Sequence, residues 1–234
     1  MPEIRVNGIN IYYEVSGNGY PIVFIHGGGL ESGSWRSQVT FFSGRYLVIT
    51  FDTRGHGKSE IPEGDYTIGD CVDDLHQLVD SLRIKRLHLA GLSMGGNIAM
   101  NFTLRYPEMV DALILASSNS GLMTESAAKK GYDAVTRMVR LKRTDMAIKF
   151  RKAHEANLNR TDITSRLSEI KKKVLLIQGD QDTETPLYIS EKILGGIENS
   201  QRVIIPDSGH LCNQDQPDAF NAVMDDFLQS LDAV

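Results

Sequence analysis

The sequence predicts an α/β protein: a doubly wound, mostly parallel sheet with an N-terminal antiparallel hairpin and a short helical cap. Three observations carry this expectation. Continuous apolar runs alternate with stretches of helical spacing along most of the chain, as when helices cover both faces of a parallel sheet. Polar and apolar residues alternate only near the N-terminus, which suits strands with one wet face. One stretch, residues 119–172, breaks the rhythm and contains no convincing strand.

Residues 3–7 and 10–14 alternate about Asn7-Gly8, a two-residue hairpin signal. Apolar runs follow at 22–25, 46–51, 87–90, 112–116, 174–177 and 203–205. Ile68, Val72, Leu75, Val79 and Leu82 recur at three- and four-residue spacing and predict a helix. Ala219, Phe220, Val223, Phe227 and Leu231 do the same at the C-terminus, with Pro217 near the helix start, where a missing N–H costs nothing. Within 119–172, Ala128, Tyr132, Val135 and Met138 are helically spaced, as are Met146, Phe150 and Ala153. The expected organisation is a core domain of residues 1–118 and 173–234, with 119–172 inserted as the cap. The alternative for that stretch is a pair of ordinary crossover helices.

Composition narrows the class. With 234 residues, 41% of them hydrophobic, the chain can bury a large single core. No apolar run approaches the length of a membrane span. Met1-Pro2-Glu3-Ile4-Arg5-Val6 alternates like a strand instead of opening with a basic-then-apolar leader, so the expected location is the cytoplasm. The net charge of -5 is uneven: residues 119–172 hold 13 Lys+Arg against 6 Asp+Glu, the remainder 12 against 24. No basic cluster is interleaved with aromatics, so no nucleic-acid partner is expected. The basic stretch reads as a solvated face before it reads as a device for attracting anionic substrates. Cys71 falls on the apolar side of its helix and reads as core, and neither it nor Cys212 has a CxxC partner or metal-ligand spacing.

The chemistry centres on Gly91-Leu92-Ser93-Met94-Gly95, a G-x-S-x-G pattern between the run at 87–90 and a helix expected over 95–105. A sharp strand-to-helix turn exposes the serine hydroxyl above the sheet, and only small residues two positions either side avoid clashing, hence the glycines. His26-Gly27-Gly28-Gly29 directly follows the run at 22–25. Consecutive glycines let main-chain N–H groups approach a developing oxyanion, and Met94 N–H at the helix start is the second donor. Gly179-Asp180-Gln181-Asp182 ends the run at 174–177, where either carboxylate can orient a histidine or cap the helix near Pro186. His210 follows the last run and supplies the base that a serine hydroxyl needs.

These segments, with Trp35 and Asp52-Thr53-Arg54-Gly55-His56-Gly57-Lys58-Ser59, resemble the α/β-hydrolase superfamily, and the likeness runs from about residue 3 to residue 231. The resemblance implies a triad of Ser93, Asp182 and His210, with Asp182 favoured over Asp180 by the G-x-x-D…P spacing. Ser117-Ser118-Asn119 offers no carboxylate after the preceding strand, where some members keep the acid. It implies oxyanion-hole amides from Gly28 and Met94, with Gly29 the alternative to Gly28. The expected activity is hydrolysis of small-molecule carboxylic esters, or lactones or thioesters, through an acyl-serine, with no cofactor and no metal. Carbon-carbon bond hydrolysis, cofactor-free perhydrolysis and acyl transfer are the alternatives on this fold, and a slow-turnover ligand receptor is the non-catalytic one.

The remaining residues take plainer roles. Asp52 and Arg54 are expected to pair and support their turn, and His56 to shape it. His76 and His154 are expected to be solvated or partly packed, and His88 to be a satisfied interior side chain. Met123, Met138, Met146 and Phe150 line either an acyl pocket under the cap or simply its core.

Overall fold

The computed structural model describes residues 2–232; Met1, Ala233 and Val234, at the limits of the expected core domain, lie outside them. Eight strands form one sheet: β1 (Glu3–Val6), β2 (Ile9–Ser16), β3 (Tyr20–Ile25), β4 (Tyr46–Phe51), β5 (Leu87–Leu92), β6 (Val110–Ala116), β7 (Lys173–Gly179) and β8 (Ser200–Ile205). Their order is β1-β2-β4-β3-β5-β6-β7-β8. β2 pairs antiparallel with β1 and β4, and all other neighbours are parallel. Asn7 and Gly8 take φ of 44° and 81°, the two left-handed positions that a two-residue hairpin turn requires.

The helices are α1 (Arg36–Phe42), α2 (Ile68–Ser81), α3 (Met94–Arg105), α4 (Glu125–Arg140), α5 (Thr144–Leu158), α6 (Leu187–Gly196), the single turn α7 (Cys212–Asp215) and α8 (Pro217–Asp232). Strand side chains divide by parity, with Val110 at the irregular start of β6 the exception. Val23, Ile25, Leu87, Leu89, Leu113 and Leu115 join the core of α2 and α3, with Leu75, Leu78, Ile98 and Phe102. Ile22, Phe24, Ala90, Leu92, Ile114 and Ala116 join the opposite core, with Trp35, Phe42, Phe220 and Met224. Burial on both faces explains why the strands read as unbroken apolar runs. Cys71 lies in the first of these cores and Cys212 in the second. Residues 119–172 hold α4, α5 and a 3-10 turn but no strand. Among the described residues, no helix is long and apolar enough to cross a membrane.

The turn from β5 to α3 is the tightest junction. Ser93 has φ 53° and ψ −112°, a conformation that costs a non-glycine residue of order 1–3 kcal/mol. Its N–H donates to Ala116 O at 2.9 Å, tying the turn to β6. A Cβ on Gly91 would lie 2.3 Å from Gly95 O, and one on Gly95 2.2 Å from Ile25 O at the end of β3. Backbone there packs on backbone, so no flexible side chain can yield.

A buried polar cluster fixes the loop after β3. Thr53 N–H donates to His26 Nε2 at 3.0 Å, which leaves the proton on Nδ1, 2.8 Å from Gly27 O. Burial lowers the His26 pKa to about 4 against a weaker opposing effect of that Gly27 hydrogen bond, so the ring is neutral in the fold. His56 packs beside it and binds Thr53 Oγ1. Asp52 and Arg54 do not pair with one another as expected. Asp52 accepts the backbone N–H groups of Ser32 and Lys58, at 2.6 and 2.8 Å. Arg54 turns the other way and forms a two-pronged bond to Asp74 of α2. The Asp52 carboxylate is held toward two converging turns, one N–H on each oxygen, while the Arg54 guanidinium lies against Asp74, which is buried on α2.

Two outcomes follow. Gly95→Ala should lose about 1–3 kcal/mol or more of stability by chemical denaturation, the range for overpacking where neighbours cannot move; an unchanged midpoint would contradict the packing described. His26 binds its proton more weakly folded than unfolded, so its contribution to stability is complete above pH 6.5 and is lost as pH falls toward 4. Between pH 7 and 5 that amounts to roughly 2 kcal/mol. His26→Asn should flatten the pH dependence of stability over this interval by about that amount, whatever its absolute stability.

Candidate active site

Parallel pairing brings the C-terminal ends of β3, β5, β7 and β8 to one edge of the sheet, and each end delivers one expected component. The glycine loop leaves β3, Ser93 leaves β5, Asp182 leaves β7 and His210 leaves β8. Gly28, Ser93 and His210 line one cavity of about 350 Å³.

His210 Nδ1 lies 3.1 and 3.0 Å from the two oxygens of Asp182. A carboxylate accepts only, so Nδ1 carries the proton and Nε2 is the basic nitrogen of the neutral ring. Asp182 also accepts the N–H groups of Glu184 and Thr185, both at 2.9 Å, and the Thr185 hydroxyl. Burial alone opposes its ionisation, yet the hydrogen bonds from His210 and Thr185 outweigh that and hold the carboxyl below the usual carboxylate range. Asp180, the other candidate, accepts Ser208 N–H at 3.2 Å and holds the loop that carries His210.

Ser93 and His210 make no hydrogen bond to one another in this structure. Nε2 lies 3.7 Å from Glu184 Oε2 instead, and Glu184 Oε1 lies 3.7 Å from Lys130 Nζ of α4. Gly28 sits beside the elbow: a Cβ there would be 3.6 Å from Met94 Sδ. A Cβ on Gly29 would run into the Phe150 ring at 2.3 Å. Gly28 therefore faces Met94, and Gly29 faces α5. Among the described residues, neither the Gly28 nor the Met94 N–H is engaged in a hydrogen bond.

The outer wall comes from residues 119–160. Of the four side chains expected near an acyl pocket, Met123 and Phe150 line the cavity; Met138 does not, and Met146 is largely exposed. His154 is buried against Tyr132 and Phe150, with Nε2 3.1 Å from Ala128 O. It is a packed cavity wall, more enclosed than its helical position suggested. His76 stacks on Tyr106 at 4.0 Å, and His88 packs on Tyr20 at 4.8 Å, both away from the cavity.

Sequence reasoning passed over four contributors. His26 orients the glycine loop, Thr185 buttresses Asp182, and Glu184 approaches the basic nitrogen of His210. Arg160 is buried in the cavity wall with Asn157. Thr185 had a signal, lying between Asp182 and Pro186; the others depend on contacts across the fold.

Comparison with known proteins agrees with this architecture. A family model described as alpha/beta hydrolase fold matches residues 20–135, and one described as TAP-like protein matches residues 146–233. The 2-hydroxy-6-oxo-6-phenylhexa-2,4-dienoate hydrolase of Comamonas testosteroni is 28% identical over an alignment covering 94% of this chain and 91% of its own. The enol-lactonase from Burkholderia xenovorans LB400 superposes with a TM-score of 0.86 at 25% identity, covering 97% of this chain and 100% of that one. Est816, described as an N-acyl homoserine lactone degrading enzyme, does so with a TM-score of 0.84 at 28% identity, again over 97% and 100%. With the strand order, the strained serine turn and both family matches in agreement, the chain belongs to the α/β-hydrolase superfamily.

Proposed function

We propose that this hydrolase cleaves small-molecule carboxylic esters, lactones included, through an acyl-serine on Ser93. The observation that carries the reading is the pair of buried Asp182 and part-exposed His210, which leaves His210 Nε2 basic over the cavity that also holds the Ser93 turn. Ser93 Oγ attacks the substrate carbonyl as Nε2 takes its proton. The carbonyl oxygen becomes an oxyanion, received by the Gly28 and Met94 amides, each worth about 3–4 kcal/mol of barrier in comparable sites. The imidazolium, stabilised by Asp182, gives the proton to the departing alkoxide, and the acyl group stays on Ser93. Water then attacks the acyl-serine with Nε2 as base, releasing the acid and restoring the serine. The Ser93–His210 hydrogen bond closes when substrate is bound, as catalytic bonds commonly tighten only in the Michaelis complex.

Residues 119–172 act as the cap, walling the cavity from solvent and setting acyl preference through Met123 and Phe150. Lactone hydrolysis draws support from the Burkholderia enol-lactonase and Est816. A second reading, carbon-carbon bond hydrolysis, draws on the Comamonas relative, whose name specifies a dienoate with a 6-oxo group. The same nucleophile and base would serve it.

A fluorophosphonate probe should label wild type at Ser93 and leave Ser93→Ala unlabelled. Ser93→Ala should lose ester hydrolysis to background, and Asp182→Asn should lower kcat about 10⁴-fold, the cost of presenting the wrong tautomer. Retained esterase activity in Ser93→Ala would reject the scheme. A panel of p-nitrophenyl esters from about two to sixteen carbons, with lactones, thioesters and the Comamonas dienoate, should show highest kcat/KM for an ester or lactone. Turnover of the dienoate alone would favour the second reading.

A further inference from the structure

Arg160 is a charged side chain whose setting the hydrolytic scheme does not use. It follows α5, lines the cavity and is only 7% exposed. Nε donates to Gly121 O at 2.8 Å and Nη1 to Asn157 Oδ1 at 2.7 Å. Nη2 has no hydrogen bond to any described residue, and no described carboxylate lies within ion-pair distance of the guanidinium. The nearest acid along the chain, Asp162, instead accepts Thr164 N–H at 2.8 Å. Burial lowers the Arg160 pKa to about 10, only weakly opposed by Asp162. A buried cation without a counter-ion is costly unless a partner arrives.

Its surroundings suit an anion. The bond from Nη1 takes the Asn157 carbonyl oxygen, so the Asn157 amide presents its N–H₂ elsewhere. Asn157 Nδ2 is 3.9 Å from where a Cβ on Gly28 would stand. Arg160 is thus one side chain removed from the glycine loop beside Ser93. The other charged groups lining the cavity are Lys130 and Glu184, which face each other. Arg160 is left as the uncompensated charge.

We propose that Arg160, with the Asn157 amide, is a carboxylate-binding subsite, so that the preferred substrate carries a free carboxylate in addition to its ester or lactone. The ester half rests on the function proposed above; the carboxylate half rests on Arg160 alone. A guanidinium offers a planar fork that matches a carboxylate. Held in this cavity, the contact is screened little by salt, unlike long-range attraction by the exposed basic residues of the cap.

The test compares mono-4-nitrophenyl adipate with 4-nitrophenyl hexanoate, equal in chain length and differing in the terminal carboxylate. Wild type should favour the adipate ester in kcat/KM, and the preference should fall at least tenfold in Arg160→Gln, mainly through KM. Arg160→Lys, which keeps the charge but not the fork, should fall in between and serves if the glutamine variant does not fold. A preference absent in wild type, or unchanged in both variants, would overturn the proposal. If no ester is turned over, the serine mechanism fails by itself and adipate binding decides the subsite. Adipate should then raise the Tm of wild type but not of Arg160→Gln, with 1,6-hexanediol raising neither. Equal shifts in both proteins, or none, would remove it.

Discussion

Backbone packed directly on backbone at the β5–α3 turn is the constraint on which the rest of this structure depends. Gly95 lies against the last carbonyl of β3, and Gly91 against the first turn of α3. Because no Cβ intervenes, the end of β3 and the start of α3 lie side by side, and that closeness puts Gly28 next to Met94. Ser93 keeps its unfavourable φ because its own N–H is tied to β6 and its carbonyl accepts from Gly96 and Asn97. Strain of a few kcal/mol is affordable in a fold whose central strands are buried on both faces.

A second layer of organisation is polar and equally buried. His26, held neutral between Thr53 and Gly27, sets the path of the glycine loop. Asp182 gathers donors from its own turn and from His210 until the ionised form prevails despite burial. Asp52 gathers the backbone of two turns in the same manner. In each case a short side chain collects main-chain donors, so loops that would otherwise wander leave the sheet in defined directions.

The segment with the most basic charge contributes chiefly by shape. Most of its Lys and Arg side chains point away from the cavity, and only Lys130 and Arg160 line it. Lys130 is answered by Glu184. Among the described residues, Arg160 is the one buried guanidinium without an acid at ion-pair distance, so the local charge of the cavity is not read from the net charge of the segment.

The strands, the long helices, the hairpin turn and the serine turn were all legible in the sequence, because each is a local pattern: an apolar run, a helical spacing, an Asn-Gly pair, glycines around a serine. The choice of Asp182 comes from motif spacing, whereas its contact with His210, 28 residues on, rests on the parallel pairing of β7 with β8. The short helix α1 has no signature in the sequence: it spans seven residues, and its buried side chains are a glutamine and a phenylalanine, Gln38 and Phe42. Nearness in sequence points Arg54 to Asp52, but the guanidinium bonds to Asp74, on a helix that only folding brings close. The burial of His154 and Arg160, and the approach of Glu184 to His210, likewise arise from segments far apart in the chain. Residue order dictates secondary structure and the order of the chemical groups, because those depend on near neighbours; partners, burial and the ionic surroundings of the cavity depend on packing between distant segments, and only the tertiary structure decides them.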